Sequence, residues 1–202
     1  MKHFIQKTSC VLVILLLLLG GCGKKAAVND TWIDEAYYDR VFENVFIVGA
    51  AEKLTVRNMF EAELVNRLNR MGIIAIPSNE VILYTNNLTR EALSSAVTKN
   101  GVDSLLIISL AGKGRSGIIY DSLKSTNPYA YYSGLNNPNK ESVYVDVSEG
   151  AGDLFLKATL YDAATEKLVW SLTSEKAFSY KPKSLSNAAR LIISKLREDG
   201  LI

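Results

Sequence analysis

The sequence predicts a single α/β domain whose mixed sheet follows the order β-α-β-α-β-β-β-β-α, with helices packed on the sheet. Three observations predict it. Short β-branched runs alternate with segments of helical period as far as residue 110, the signature of parallel strands joined by crossover helices. Period-two alternation then recurs between residues 143 and 173, as strands with one buried face require. An amphipathic stripe near the carboxyl end closes the series.

The elements follow in order. Val41 to Val48 (VFENVFIV) is apolar, aromatic and β-branched, and ends at Gly49; it reads as the first strand. Thr55 to Met71 is a helix with Val56, Phe60, Leu64, Leu68 and Met71 on one stripe, while Arg57, Glu61, Glu63, Arg67 and Arg70 fall mostly off it. Gly72 stops it. Ile73 to Ile76 is the second strand, closed by Pro77. Thr89 is suited to cap a second helix through Asn100, with Glu91 in its first turn and Gly101 at its end. Ser104 to Leu110 (SLLIISL) is apolar throughout, as a central strand covered on both faces must be.

The composition changes over Gly112 to Ser142, which is rich in Gly, Asn, Ser, Pro and Tyr. A loop of this length in a small domain is either functional or disordered. Its Tyr120, Tyr129, Tyr131 and Tyr132 are candidate partner-binding residues, because tyrosine offers a large contact area at small entropic cost. The competing expectation is that they fold back over a sheet edge and cover it. Strands are then expected on Val143, Val145 and Val147, from Leu154 to Tyr161, and from Leu168 to Thr173. Asp162 to Glu166 (DAATE) is the turn between the last two. Ser184 is placed to cap a closing helix with the stripe Leu185, Ala189, Ile192 and Leu196.

The amino-terminal residues carry a different message. Lys2 and Lys7 precede the apolar run Val11 to Leu19, and the small pair Gly20-Gly21 precedes Cys22. That order is the pattern of a secretory signal, and the run is too short for the ~20 apolar residues a spanning helix needs. Leu19-Gly20-Gly21-Cys22 resembles the lipobox of a bacterial lipoprotein. The resemblance implies removal of residues 1–21 and lipidation of Cys22, with a tether over 22–41 and the domain over 42–202. Gly23–Asp30 has the small, polar composition of such a tether, and Thr31–Arg40 is either a short helix or an extended approach to the domain. Two or more acyl chains hold a protein stably at a bilayer. Gly23 stands where an aspartate would resemble an inner-membrane retention signal, so the expected location is the periplasmic face of the outer membrane.

Cleavage also narrows the chemistry. The chain has 23 Lys+Arg and 21 Asp+Glu; with Lys2 and Lys7 removed it is formally neutral, so charge gives no reason to expect a nucleic-acid partner. His3, the only histidine, and Cys10 leave as well. Triads that need imidazole, zinc sites built from His or Cys, and intrachain disulfides are then excluded. Gly112-Lys113-Gly114-Arg115-Ser116-Gly117 matches G-x-G-x-x-G, but β-branched residues follow it and no acid stands at the required distance, so no dinucleotide is expected. Glu61, Glu63, Glu80, Glu141, Glu149 and Asp153 are carboxylates without the spacing of a glycosidase pair. No enzymatic activity, cofactor or metal is expected.

FIVGAAEKLTVRNMFEAELVNRLNRMGIIAIPS, GVDSLLIISL and LFLKATLYDAATEKLVWSLTSEKAF, followed by a closing helix, resemble a family of small bacterial envelope lipoproteins. More distantly they are similar to the amino-terminal domain of the Tol-system propeller protein, the curli-secretion lipoprotein core, and lipoprotein activators of penicillin-binding proteins. The resemblance covers most of the chain after residue 42 and rests on fold motifs, so it transfers no catalytic residue. It implies a non-catalytic adaptor or accessory factor in envelope assembly or transport, held to the membrane through Cys22 and bound to an envelope protein. The alternatives are a subunit of a homo-oligomeric secretion or assembly ring and, from composition alone, a cell-wall glycan hydrolase.

Overall fold

In the computed structural model, residues 29–50, 54–82, 89–112 and 154–202 are described. Six strands form one mixed sheet: β1 (Asn29–Ile33), β2 (Asn44–Ala50), β3 (Ile74–Pro77), β4 (Ser104–Gly112), β5 (Leu154–Asp162) and β6 (Leu168–Phe178). Four helices accompany it: α1 (Leu54–Asn69), the single turn α2 (Ser78–Val81), α3 (Arg90–Asn100) and α4 (Pro182–Glu198). The spatial order is β1-β6-β5-β4-β2-β3, with β4, β2 and β3 parallel and the other pairings antiparallel. The expected single α/β domain is present. Cys22, Tyr120, Tyr129, Tyr131, Tyr132 and the expected strand at Val143 to Val147 lie outside the described residues.

Both faces of the sheet are packed, which is why Val45 to Ile47 and Leu105 to Ile108 are apolar without alternation. On one face, Val56, Phe60, Leu64 and Leu68 of α1 and Leu185, Ala189, Ile192 and Leu196 of α4 meet Ile47, Leu106, Ala158, Leu160, Trp170 and Leu172. On the other, Leu93, Ala96 and Val97 of α3 pack on Phe46, Val48, Leu105, Ile107 and Tyr161. In β6 the partner register jumps from Trp170 to Leu168 across Leu160/Tyr161. Val169 is thus the extra residue of a bulge, and both Val169 and Trp170 are buried in the α1–α4 layer. Trp170 also donates its indole N–H to Asp199 Oδ2 at 2.7 Å, tying the end of α4 to the sheet.

Local chemistry sets the ends of the elements. Thr89 Oγ1 accepts from Ala92 N at 3.1 Å, the expected cap, and α3 stops at Gly101 with φ +61°, a left-handed turn that glycine adopts without strain. The DAATE turn is held by Asp162 Oδ1, which accepts from the backbone N–H of Thr165 at 2.7 Å and from its hydroxyl at 2.8 Å. At the same end of the sheet Asp103 accepts from Glu43 N and Asn44 N, joining the start of β2 to that of β4.

Several expectations change in detail. Residues 29–33, assigned on composition to the tether and the approach to the domain, form an edge strand on β6, and a 3-10 turn at Glu35–Tyr37 follows, capped by Asp34. Helix α1 ends at Asn69, so Met71 lies beyond it and is exposed. Ser184 does not cap α4: Pro182, whose fixed φ suits a first helical turn, starts the helix three residues before the expected Leu185, with Lys181 at the cap position, and Ser184 Oγ accepts from Ser179 N instead. The single turn α2 follows Pro77 directly and was not anticipated.

Candidate functional site

The carboxyl ends of β2 and β4 are adjacent, and the connections leave them in opposite directions. From β2 the chain crosses through α1 to β3 on one side; from β3 it returns through α3 to β4 on the other. The crevice at such a reversal is where open α/β sheets commonly bind ligands.

One side of this end is occupied by a buried polar cluster. Arg57 and Glu61, one turn apart on α1, are both fully buried, with Nε to Oε1 at 3.0 Å. Glu61 Oε1 also accepts from Gly49 N at 2.8 Å and Ser78 Oγ at 2.6 Å, and Oε2 accepts from Asn79 N at 2.8 Å. Arg57 Nη2 donates to Ser78 Oγ at 2.7 Å and to the Ile82 carbonyl at 3.1 Å. A side chain at position 49 would crowd this cluster, because its Cβ would stand 3.3 Å from Glu61 Cγ. Buried charges persist only when paired and hydrogen-bonded in this way. Arg57 Nη1 is the guanidinium nitrogen without a partner among the described residues.

The expectation that Arg57 and Glu61 lie off the buried stripe is thus corrected. The cause is tertiary: α2 and the end of β2 close over the side of α1 that periodicity alone assigns to solvent. The carboxylate of Glu61, counted among those available for glycan chemistry, is shut from solvent and occupied by four donors. Its arrangement fastens β2, α1 and α2 together and leaves it no access to a substrate. Glu63 sits apart at the α1–α4 contact. Desolvation raises its carboxyl pKa, but hydrogen bonds from Arg67 and Ser186 more than offset this, so the net shift is downward.

The other side of the sheet is of a different kind. Strand pairing aligns Ile107, Thr159, Ser171 and Trp32 in one row, and Ser109, Lys157, Thr173 and Asp30 in the next. The packing partners of α3 lie on β2, β4 and the Tyr161–Leu168 end of β5 and β6, so the polar rows begin where its apolar contacts stop. Lys157 is partly buried there, and loss of hydration pushes its ammonium pKa below the usual lysine value. Trp32 is 49% exposed on the edge strand. Ser109 and Thr159 are buried in these rows, so the half-buried Lys157, Ser171 and Thr173, with the indole of Trp32 at the rim, are the groups that can bind an acceptor-rich partner through hydrogen bonds and an apolar edge. Among the described residues no group of His, Cys, Asp or Glu could hold a metal ion.

Sequence reasoning missed this surface. Its signal was the replacement of apolar residues by Lys157, Thr159, Ser171 and Thr173 at alternate positions, a pattern equally expected of a solvated sheet face. If Lys157 is retained there for recognition, Lys157→Met should raise stability by removing a desolvated charge. Thermal melts at neutral pH check this; a lowered melting temperature would mean that the ammonium has a stabilising partner.

No family model matches the chain, and no curated protein matches it. Among solved structures, the PelC dodecamer from Paraburkholderia phytofirmans is similar at TM-score 0.45 and 14% identity, covering 88% of this chain and 99% of that one. A point-substituted form of the same dodecamer gives TM-score 0.44 and 11% identity, covering 83% of this chain and 96% of that one. Scores and identities at this level leave both as partial likenesses of shape.

Proposed function

We propose that the chain is a lipid-anchored protein of the bacterial outer membrane, with its domain in the periplasm, acting as a non-catalytic adaptor that binds another envelope component. The observation that carries the reading is Leu19-Gly20-Gly21-Cys22 at the end of a short apolar run. Its support from the fold is indirect: the carboxylate of Glu61 is buried and held in structural hydrogen bonds, and the polar face around Lys157 offers groups that can bind a partner. No described helix is long and apolar enough to cross a membrane.

Metabolic labelling with a palmitate analogue tests the anchor. The wild type should be marked, and Cys22→Ser should be unmarked and retain its signal. Equal labelling of both would overturn the reading. Sedimentation of the chain without its anchor separates the adaptor, expected as a monomer, from a ring subunit.

A further inference from the structure

The strands fix where the anchor joins the sheet. Asn29, the first residue of β1, pairs with Ser174 near the end of β6. Phe178, which ends β6, pairs with Leu154, and Leu154 pairs with Gly112 at the end of β4. In the parallel part, β2 and β3 finish at this same end, at Ala50 and Pro77. The chain therefore enters the sheet at the carboxyl end of its parallel strands. The opposite end carries Asp103, the turn after Asp162 and the carboxyl terminus, where Phe42 N donates to the Leu201 carbonyl.

Only seven peptide units separate Cys22 from Asn29. Fully extended they reach about 25 Å. The sheet is itself about 26 Å long along the nine residues of β4. An inverted domain, with its Asp103 end on the bilayer, would need the whole tether drawn flat along the sheet edge. A flexible segment of that length has a root-mean-square span of only about 15 Å.

We propose that the carboxyl end of the parallel strands is a membrane-facing surface, seated on phospholipid headgroups, and that the Asp103 end points into the periplasm. This rests on the reading of Cys22 as the lipid carrier. Two consequences follow. The crevice between β2 and β4, and both points where residues 113–153 leave and rejoin the sheet, face the lipid. The surface free for a soluble partner is the Asp103 end and the sides of the domain.

The full chain, processed through its own signal, provides the test, because the mature protein has no thiol besides Cys22. Single cysteines are introduced by Lys181→Cys and Glu80→Cys at the entry end, and by Lys99→Cys and Ala164→Cys at the other. Each variant is labelled with a fluorescent donor and reconstituted into phosphatidylethanolamine–phosphatidylglycerol vesicles bearing a headgroup-linked acceptor. Energy transfer should be several-fold stronger from positions 181 and 80 than from 99 and 164. Equal or reversed transfer, with the lipid on Cys22 verified by mass, would overturn the orientation alone. A Cys22 without lipid would overturn the anchor and the orientation together.

Discussion

Glu61→Ala should destabilise the domain by about 3–5 kcal/mol, because it leaves the guanidinium of Arg57 buried without its counter-charge. It also leaves the amides of Gly49 and Asn79 without their acceptor. Domains of this size are stable by only about 5–15 kcal/mol in total, so the variant should unfold at much lower urea. The double variant Arg57→Met/Glu61→Leu should lose less than Glu61→Ala alone, since it removes the stranded charge while leaving the same amides unpaired. A single variant within about 0.5 kcal/mol of wild type would place the pair at the surface.

Trp170→Ala should be of similar size, about 3–5 kcal/mol, for a different reason. The indole is fully buried between the sheet and the α1–α4 layer, and its N–H is satisfied by Asp199. Truncation opens a cavity under α4 and strands a carboxylate that had a donor. Asp199→Asn, which keeps an acceptor oxygen, should cost far less than Trp170→Ala in the same urea titrations. A loss below about 1 kcal/mol for Trp170→Ala would contradict the packing.

These two residues also mark how far the fold was legible. Trp170 could be placed because it and Leu172 alternate with Ser171 and Thr173, although the bulge, which the sequence did not show, puts Val169 on the same side and Leu168 on the other. The four-step recurrence from Val56 to Leu68 likewise leaves one choice of buried face. Arg57 and Glu61 could not be read in this way. A charge pair one turn apart is the commonest ornament of a solvated helix face, and its burial depends on α2, a single turn that periodicity does not resolve. Gly49 and Ser78 were the available hints, since a small residue at a strand end and a hydroxyl after Pro77 both allow close approach. The edge strand β1 was hidden because Asn29 and Asp30 carry weak β-propensity, and pairing with β6 overrides it. The polar sheet face was hidden because recognition and solvation call for the same residue types.

The proposed anchor rests on composition and order alone, and everything proposed about location and orientation rests on it. Its most direct test is the mass of the tryptic peptide from Cys22 to Lys24 in protein extracted from membranes. The account predicts a chain that begins at Cys22, with residues 1–21 absent and a diacylglyceryl group on the sulfur. A membrane-extracted chain that still carries residues 1–21, or that begins elsewhere with an unmodified Cys22, would contradict it.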